Sequence, residues 1–380
     1  MTPDTANGAP SVPPGLFGGA YAGKKVLVTG HTGFKGAWLS LWLWRLGAEV
    51  TGFASEPPSR PNAFEAMNLA RVVQDIRGDI RDIHQLGQAF ELAKPDVVFH
   101  LAAQALVRDS YDDPKKTFDT NLGGTVNVLE CLRPPSTAKA AVMITSDKCY
   151  SNREWVWGYR ENDPLGGEDP YSASKACAEM ACAAYAASFL GGGACRIARA
   201  RAGNVIGGGD WAKDRIVPDC VRAWTAGAAL GLRNPSATRP WQHVLEPLSG
   251  YLWLGARLLQ DGGLHGEAFN FGPSAMVHTP VGELAGALLR RWNAPDWRRD
   301  AKDELRPESS YLHLCCDKAG HVLNWRALLG FEDTVRLTAD WYDAHAGGRD
   351  MLTASLDQLC GYEALAGSAG LAWTGGKEGS

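Results

Sequence analysis

The chain has 380 residues, of which 45% are hydrophobic and 21% are charged, and its formal net charge is −4. Such a chain can bury a large core in two or three structural units, and its charge gives no electrostatic reason to bind nucleic acid or an anionic membrane. The nine cysteines and nine histidines show no regular pairing, so we expect reduced thiols and no metal site.

The two ends of the chain carry little sign of regular structure. Residues 1–23 lack the basic opening and the apolar run of a signal peptide, and we expect a flexible tail there. Residues 346–380, which end in "LAGSAGLAWTGGKEGS", are expected to form a partly disordered C-terminal extension. Since no uncharged apolar stretch reaches the ~20 residues needed to cross a bilayer, we expect a cytoplasmic protein that does not contact a membrane.

Strand and helix patterns alternate over residues 24–203. Short apolar or β-branched runs occur at 24–29, 48–54, 95–103 and 140–146, with helical patterns between them. The alternation predicts an α/β fold with a Rossmann-like, doubly wound parallel sheet. Residues 204–345 are richer in loops and predict a smaller mixed α/β substrate-binding region, interleaved with the Rossmann part, above the carboxyl edge of the sheet.

The turn after the first strand predicts a dinucleotide site. The stretch "VTGHTGFKG" puts three glycines between a strand and a helix. Glycine permits the tight turn and lets the backbone approach a pyrophosphate, which then lies at the positive end of the helix. We expect cofactor contacts from Gly30, Thr32, Gly33, Phe34, Lys35 and Gly36.

The sequence gives a weaker indication of the residues that would bind the adenosine part of the cofactor. The second strand ends in "GFASEPPSR", without an acid for the ribose hydroxyls. Lys35, Ser55 and Arg60 could instead accept a 2′-phosphate, which leaves NADP open beside NAD. The remaining cofactor contacts are expected where the third and fourth strands end, from Asp79, Ile80, Leu101, Ala102, Ala103 and Gln104.

Tyr171 and Lys175 are spaced i and i+4 in "DPYSASKACAE", on one face of a predicted helix. A lysine beside a tyrosine lowers the pKa of the phenol, which makes it a usable base. Ser146, Asp147 and Lys148 follow a strand directly and add a hydroxyl, an acid and an amine. The five side chains are predicted to form a catalytic centre.

Several long motifs resemble the extended short-chain dehydrogenase/reductase family, and within it the nucleotide-sugar 4,6-dehydratases. They are "GHTGFKGAWLSLWL", "TSDKCYSNREWVWGYRENDPLGG", "DPYSASKACAE", "ARAGNVIGGGDWAKDRIVPD" and "RPWQHVLEPLSGYL". The resemblance extends from about residue 24 to residue 342. It implies NAD as the cofactor and a nucleotide sugar, CDP-glucose, as the substrate, in deoxysugar biosynthesis.

The resemblance also assigns roles to residues. Ser146, Tyr171 and Lys175 match the triad that oxidises a hydroxyl, and Lys175 also matches the contact to the nicotinamide ribose. Asp147 matches the acid that protonates the leaving 6-hydroxyl. Substrate contacts are implied for Asn204, Arg215, Arg239 and Trp241, and a guanidinium fork such as that of Arg239 suits a diphosphate.

Lys148 stands where dTDP-sugar dehydratases have the glutamate that removes the proton from carbon five. To act as that base the amine would have to be neutral, which burial in a closed sugar site beside the cationic Lys175 would favour. The alternative is a charged Lys148 that stabilises the enolate oxygen or orients Asp147. Both interpretations remain open at the level of sequence.

The helix of Tyr171 is crowded with small side chains, and in relatives this helix takes part in an intersubunit bundle. The resemblance therefore implies a homodimer, whereas burial against the sheet would explain the same composition. The small residues are Ala173, Ala176, Ala178, Ala181, Cys182, Ala183, Ala184, Ala186 and Ala187.

Two other functions compete with dehydration. A nucleotide-sugar 4-epimerase shares the glycine turn, Tyr171 and Lys175, but it does not need an acid such as Asp147 to expel a hydroxyl. A cofactor-sensing Rossmann protein without catalysis would not require the tyrosine–lysine pair. The residues thus favour the dehydratase.

Overall fold

The structure is a computed structural model that describes residues 15–191, 195–273, 279–300 and 311–375. Its strands are β1 Lys25–Thr29, β2 Glu49–Ala54, β3 Gln74–Arg77, β4 Val97–His100, β5 Ala140–Ile144, β6 Arg196–Ala202, β7 Val205–Ile206, β8 Gly231–Leu232, β9 Thr238–Arg239, β10 Gln242–His243, β11 Ala268–Phe271, β12 Thr279–Pro280 and β13 Arg298–Arg299. Its helices are α1 Phe34–Arg45, α2 Ala63–Ala66, α3 Ile83–Ala93, α4 Val107–Asp112, α5 Pro114–Phe118, α6 Gly124–Leu132, α7 Pro170–Ser188, α8 Ile216–Thr225, α9 Leu245–Gln260, α10 Val281–Arg291, α11 Asp317–Leu323, α12 Phe331–Ala346 and α13 Met351–Ser368.

Seven parallel strands form the central sheet, in the order β11-β6-β5-β4-β1-β2-β3. The order of the first six strands is that of a doubly wound Rossmann fold. The predicted fold class is therefore confirmed.

Alternate residues of β1 face opposite sides of the sheet, and both sides are buried. Val26 and Val28 pack in the hydrophobic cluster that contains the α1 tryptophans, whereas Leu27 packs in the cluster formed by α3, α6 and α7. A strand buried on both faces needs a continuous apolar run, which "KVLVT" supplies.

The region 204–345, which we expected to interleave with the Rossmann part, contributes β11 to the edge of the main sheet and α9 to its face against β5 and β6. The remaining strands of this region are two-residue pieces that pair as β7 with β10, β8 with β13 and β9 with β12. The boundary between residues 203 and 204 itself stays a prediction.

The flexible tail predicted for residues 1–23 is wrong for residues 15–23, and residues 1–14 lie outside the described part. Phe17 and Tyr21 are buried, and the Phe17 ring stacks on Trp373 with centroids 5.0 Å apart. The sequence "GLFGGAYAG" is glycine-rich, but its aromatic side chains supply enough apolar surface to anchor it.

The partial disorder predicted for residues 346–380 is wrong for residues 346–375, while residues 376–380 lie outside the described part. Helix α13 packs against α1 through a buried ion pair, in which Arg45 Nη2 lies 2.7 Å from Glu363 Oε2. Trp42 Nε1 also donates to Glu363 Oε1 at 2.9 Å. The C-terminal segment is thus an integral layer behind the first helix.

Replacing Glu363 by alanine should lower the free energy of unfolding by about 3–5 kcal/mol, because it leaves the Arg45 charge buried without its partner. Urea denaturation measures this loss. The control is Asp357→Ala on the same helix, which removes an exposed ion pair with Arg349 and should cost far less. Equal losses in the two variants would contradict the argument.

Within the described ranges, no helix is both long and apolar enough to cross a membrane. The same residues contain no group of three or more His, Cys, Asp or Glu side chains that could hold a metal ion. The cytoplasmic location stays a prediction.

Candidate active site

The glycine turn between β1 and α1 is shaped for close approach. Gly30 has a φ of 78°, and a Cβ added there would lie 2.7 Å from the amide nitrogen of Ala102. A Cβ on Gly36 would lie 2.1 Å from the carbonyl oxygen of Gly30. No described side chain caps α1 at Gly33, so the first amides of the helix are left for a ligand. The turn therefore fits a pyrophosphate.

Lys35 points towards the catalytic groups. Its Nζ lies 5.9 Å from the centroid of the Tyr251 ring, and burial, followed by the charges of Lys175 and Arg215, lowers the pKa of Lys35 to about 8. A contact between Lys35 and a 2′-phosphate stays a prediction.

The other residues considered for a 2′-phosphate lie at the surface or serve the turn. The Arg60 side chain is 82% exposed, and its Nη2 lies 4.0 Å from Glu65 Oε1. Thr32 donates to the carbonyl oxygen of Ser55 at 3.2 Å, which ties the turn to the end of β2.

A carboxylate that the sequence analysis missed lies within β3. Asp75 Oδ1 lies 2.8 Å from Nε2 of the buried His31, and Asp75 Oδ2 accepts from Arg77 at 2.8 Å. The His31 ring occupies space beside Gly52, where a Cβ would come within 2.2 Å of it. The unusual histidine in the glycine turn, opposite a glycine in β2, was the available signal for this pair.

The other predicted cofactor residues line the same edge of the sheet. Asp79 pairs with Arg81 at 2.5 Å, and Ile80 is buried. Residues 101–104 are half-buried after β4. Asn121 holds this segment by accepting from the Gln104 amide at 2.8 Å and donating to its carbonyl oxygen at 3.1 Å.

Helix α7 begins where it does because of its sequence. The Asp169 side chain accepts from the Ser172 amide at 2.9 Å, and Pro170 occupies the first turn. This start places Tyr171 and Lys175 one turn apart, and both are buried. The predicted helical spacing is therefore present.

Ser146 lies two residues after β5 and caps a short 3₁₀ turn made by residues 147–149. Its Oγ donates to Asp147 Oδ1 at 2.9 Å and accepts from the Lys148 amide at 3.2 Å. Asp147 is buried beside Gly203, where a Cβ would lie 3.0 Å from Oδ2. Burial raises the pKa of Asp147 above its usual range, although the charge of Lys148 opposes the shift. The carboxyl group is thus suited to donate a proton.

The pKa of Tyr171 differs from the sequence prediction. Burial raises it to about 12, the Ser146 hydroxyl opposes this shift and the Asp147 charge adds to it. The expectation of a lowered pKa for Tyr171 is wrong, because desolvation outweighs nearby charge. Desolvation also lowers the pKa of Lys175 to about 8.

A buried network that the sequence analysis missed fixes α7 to the sheet. Glu179, one turn beyond Lys175, accepts from Arg201 Nη2 at 2.6 Å and from Thr145 Oγ1 at 2.5 Å. Thr145 directly precedes Ser146, so this network sets the position of the tyrosine helix relative to the serine turn. A glutamate in an alanine-rich helix gives no sequence signal of an arginine more than twenty residues away.

The predicted substrate residues fall into two groups. Arg215 lies near the catalytic centre, since its charge lowers the pKa of both Tyr171 and Lys35. Its Nη1 lies 2.9 Å from Asp210 Oδ2. Asn204 and Arg239 lie in the adjoining segments: the Asn204 carbonyl oxygen accepts from the amide of residue 242 at 3.1 Å, and Arg239 Nη1 donates to the carbonyl oxygen of residue 238 at 2.8 Å.

Trp241 is buried in the core and donates from Nε1 to the carbonyl oxygen of Thr279 at 3.1 Å. This bond joins β12 to the segment before β10. A direct contact between Trp241 and the substrate stays a prediction.

Known proteins match the chain over most of its length. Residues 26–272 match the NAD dependent epimerase/dehydratase family. CDP-glucose 4,6-dehydratase from Salmonella typhimurium is 45% identical over 348 residues, which cover 90% of this chain and 97% of that enzyme. UDP-glucose 4-epimerase from Lacticaseibacillus casei is 28% identical over 286 residues, covering 72% of this chain and 84% of that enzyme. The structure of dTDP-glucose 4,6-dehydratase from Streptomyces venezuelae with NAD bound aligns with a TM-score of 0.73 and 25% identity, over 86% of this chain and 99% of that one.

The sheet order and a buried tyrosine–lysine pair at its carboxyl edge define a Rossmann-type enzyme centre. The chain belongs to the NAD dependent epimerase/dehydratase family. The resemblance read from the motifs and the choice of NAD as the cofactor are thereby confirmed. The close-packed turn at Gly30 and Gly36 fits the pyrophosphate of that cofactor.

Proposed function

We propose that this protein is a CDP-glucose 4,6-dehydratase, a hydro-lyase that forms CDP-4-keto-6-deoxyglucose and water. The observation that carries the proposal is Asp147, a buried carboxyl group with a raised pKa, bonded to Ser146 beside Tyr171. An epimerase needs no such acid. The 45% identity to the Salmonella enzyme over nearly its whole length supports the same substrate.

Tyr171 accepts the proton of the 4-hydroxyl group while Ser146 holds that oxygen. NAD held at the glycine turn would supply the acceptor for hydride from carbon four and the donor of hydride to carbon six, so that the sugar undergoes no net oxidation. Protonation of Asp147 serves both steps, because a neutral carboxyl group no longer raises the pKa of Tyr171. The charge of Arg215 also favours the phenolate.

The ketone at carbon four makes the hydrogen on carbon five acidic. Lys148 takes that proton, and Asp147 protonates the oxygen leaving carbon six. The carbon–oxygen bond breaks, a double bond forms between carbons five and six, and water departs. When hydride reaches carbon six, Lys148 returns its proton to carbon five. Exchange of one proton through solvent, lost by Tyr171 and regained by Asp147, restores the starting state of both groups. Lys148 is half-buried and has no hydrogen bond or ion pair from its side chain among the described residues, which leaves the amine available to the substrate.

The function is tested by incubating the protein with CDP-glucose and NAD, then adding base and recording the near-ultraviolet absorbance of a 4-ketosugar. Tyr171→Phe is the matched negative control. Formation of the epimeric sugar nucleotide without a ketosugar would favour the 4-epimerase. Binding of NAD without any conversion would favour a cofactor sensor.

The active form is a homodimer that associates through α7. Met180 is 55% exposed, and Ala184 and Ala187 continue an exposed stripe along the same face of this helix. Phe189, 48% exposed, lies at its end. Small side chains let a second copy of the helix approach closely, and a large apolar residue next to them favours such burial.

Light scattering of the wild-type protein should give the mass of a dimer, and Met180→Glu should shift it to the mass of a monomer. The control is Leu92→Glu, which changes an apolar side chain that is 61% exposed on α3 and should leave the dimer intact. A monomer mass for the wild-type protein at micromolar concentration would refute the dimer.

A further inference from the structure

Tyr251 on α9 has a buried hydroxyl group that lacks a hydrogen-bond partner among the described residues. The side chain is 0% exposed, and its ring packs edge-on against Phe271 with centroids 5.7 Å apart. Phenylalanine would fill this space without burying an unpaired hydroxyl, which costs roughly 1–3 kcal/mol. The cost indicates that the partner of this hydroxyl arrives with a ligand.

The Tyr251 ring packs beside Lys35, and its hydroxyl group is electrostatically coupled to the active centre. The charges of Asp147 and of Tyr171 both add to the effect of burial in raising the pKa of Tyr251. Lys35 Nζ lies 5.9 Å from the centroid of the Tyr251 ring. The charges of Lys175 and Asp147 in turn shift the pKa of Lys35. Tyr251 therefore approaches the serine turn from α9, on the face of the sheet opposite α7.

Neighbouring tyrosines show that an unpaired hydroxyl is not the rule in this part of the core. Tyr21 donates to the carbonyl oxygen of Leu252, the residue after Tyr251, at 2.5 Å. The Tyr362 hydroxyl group donates to Oε2 of Glu246, which lies near the beginning of the same helix, at 3.1 Å. Tyr251 thus differs from both of these tyrosines, because its hydroxyl group has no partner among the described residues.

We infer that the Tyr251 hydroxyl is a further catalytic hydrogen-bond donor, and that its partner is the oxygen on carbon six of the substrate. The inference rests on the proposed function. Asp147 gives that oxygen its proton, the bond to carbon six breaks, and water leaves. Tyr251 donates a hydrogen bond to the same oxygen throughout and keeps its own proton.

Tyr251→Phe should lower kcat for CDP-glucose at least tenfold and leave KM within about twofold, because the bond strengthens as the oxygen leaves. Oxidation at carbon four precedes this step, so absorbance of reduced cofactor should build up after rapid mixing. The melting temperature should not fall, since no protein hydrogen bond is lost. Tyr21→Phe, the control, should lower the melting temperature and keep kcat.

A Tyr251→Phe enzyme with kcat within twofold of an active wild-type protein would overturn the inference and leave the proposed function intact. Slower formation of reduced cofactor in this variant would also overturn it, because the hydroxyl would then serve the oxidation step. A wild-type protein that does not dehydrate CDP-glucose would refute the proposed function, and the inference with it.

Discussion

Replacing Asp147 by asparagine should lower the turnover of CDP-glucose by about 100- to 10,000-fold, the usual loss for a general acid. Asparagine preserves the shape and can still accept a hydrogen bond from Ser146, but it has no proton to give to the departing oxygen. Oxidation at carbon four should persist, and rapid mixing should show reduced cofactor that does not decay. Asp163→Asn, in the loop before α7, is the control and should turn over normally.

The same variant has a predicted pH signature. Because the pKa of Asp147 is raised in the folded protein, the wild-type rate should fall as the pH rises through that pKa and the acid loses its proton. Asp147→Asn should lack this descending arm in its residual rate. Normal turnover by the variant would remove Asp147 from the mechanism.

Replacing Lys148 by methionine should abolish exchange of the carbon-five hydrogen with deuterated solvent. Methionine keeps the length of the side chain but cannot take a proton, while Ser146 and Tyr171 remain to oxidise carbon four. Reduced cofactor should therefore still form on addition of substrate. Mass spectrometry of the recovered sugar nucleotide measures the exchange.

Lys148→Arg separates the two roles considered for this residue. Arginine keeps the positive charge but does not lose its proton in proteins, so a base role predicts that this variant also fails to exchange deuterium. Exchange restored by arginine would assign Lys148 an electrostatic role. Exchange at the wild-type rate in Lys148→Met would identify another group as the base.

Local patterns predicted the framework of the site from the sequence. The glycine turn follows a strand directly, and Tyr171 and Lys175 lie at helical spacing, so both features depend on residues close together in the chain. The apolar runs of β1 and β5 likewise mark strands buried on both faces. These features need no knowledge of distant contacts.

The site residues that the sequence did not predict depend on contacts that form only in the folded chain. Tyr251 is one apolar position in an amphipathic helix until the fold brings it near Asp147, which lies about a hundred residues earlier. Asp75 on β3 reaches His31, which follows β1, across the intervening strand β2. Desolvation, which reversed the predicted pKa shift of Tyr171, also depends on the complete fold.

The terminal segments were misjudged because composition was given more weight than their few large side chains. "LAGSAGLAWTGG" is dominated by glycine and alanine, yet Trp373 is fully buried and stacks on Phe17. One aromatic contact of this kind can anchor a segment that otherwise resembles a tail.

The buried pair between Arg45 and Glu363 has a consequence for biosynthesis on the ribosome. Domains usually fold from the N-terminus as the chain emerges. Here the helix that follows the glycine turn is translated early, but its arginine and the Trp42 indole find their partner only after Glu363 has been added. The nascent chain therefore carries a buried-type arginine and a tryptophan N–H without their carboxylate partner until residue 363 has left the ribosome.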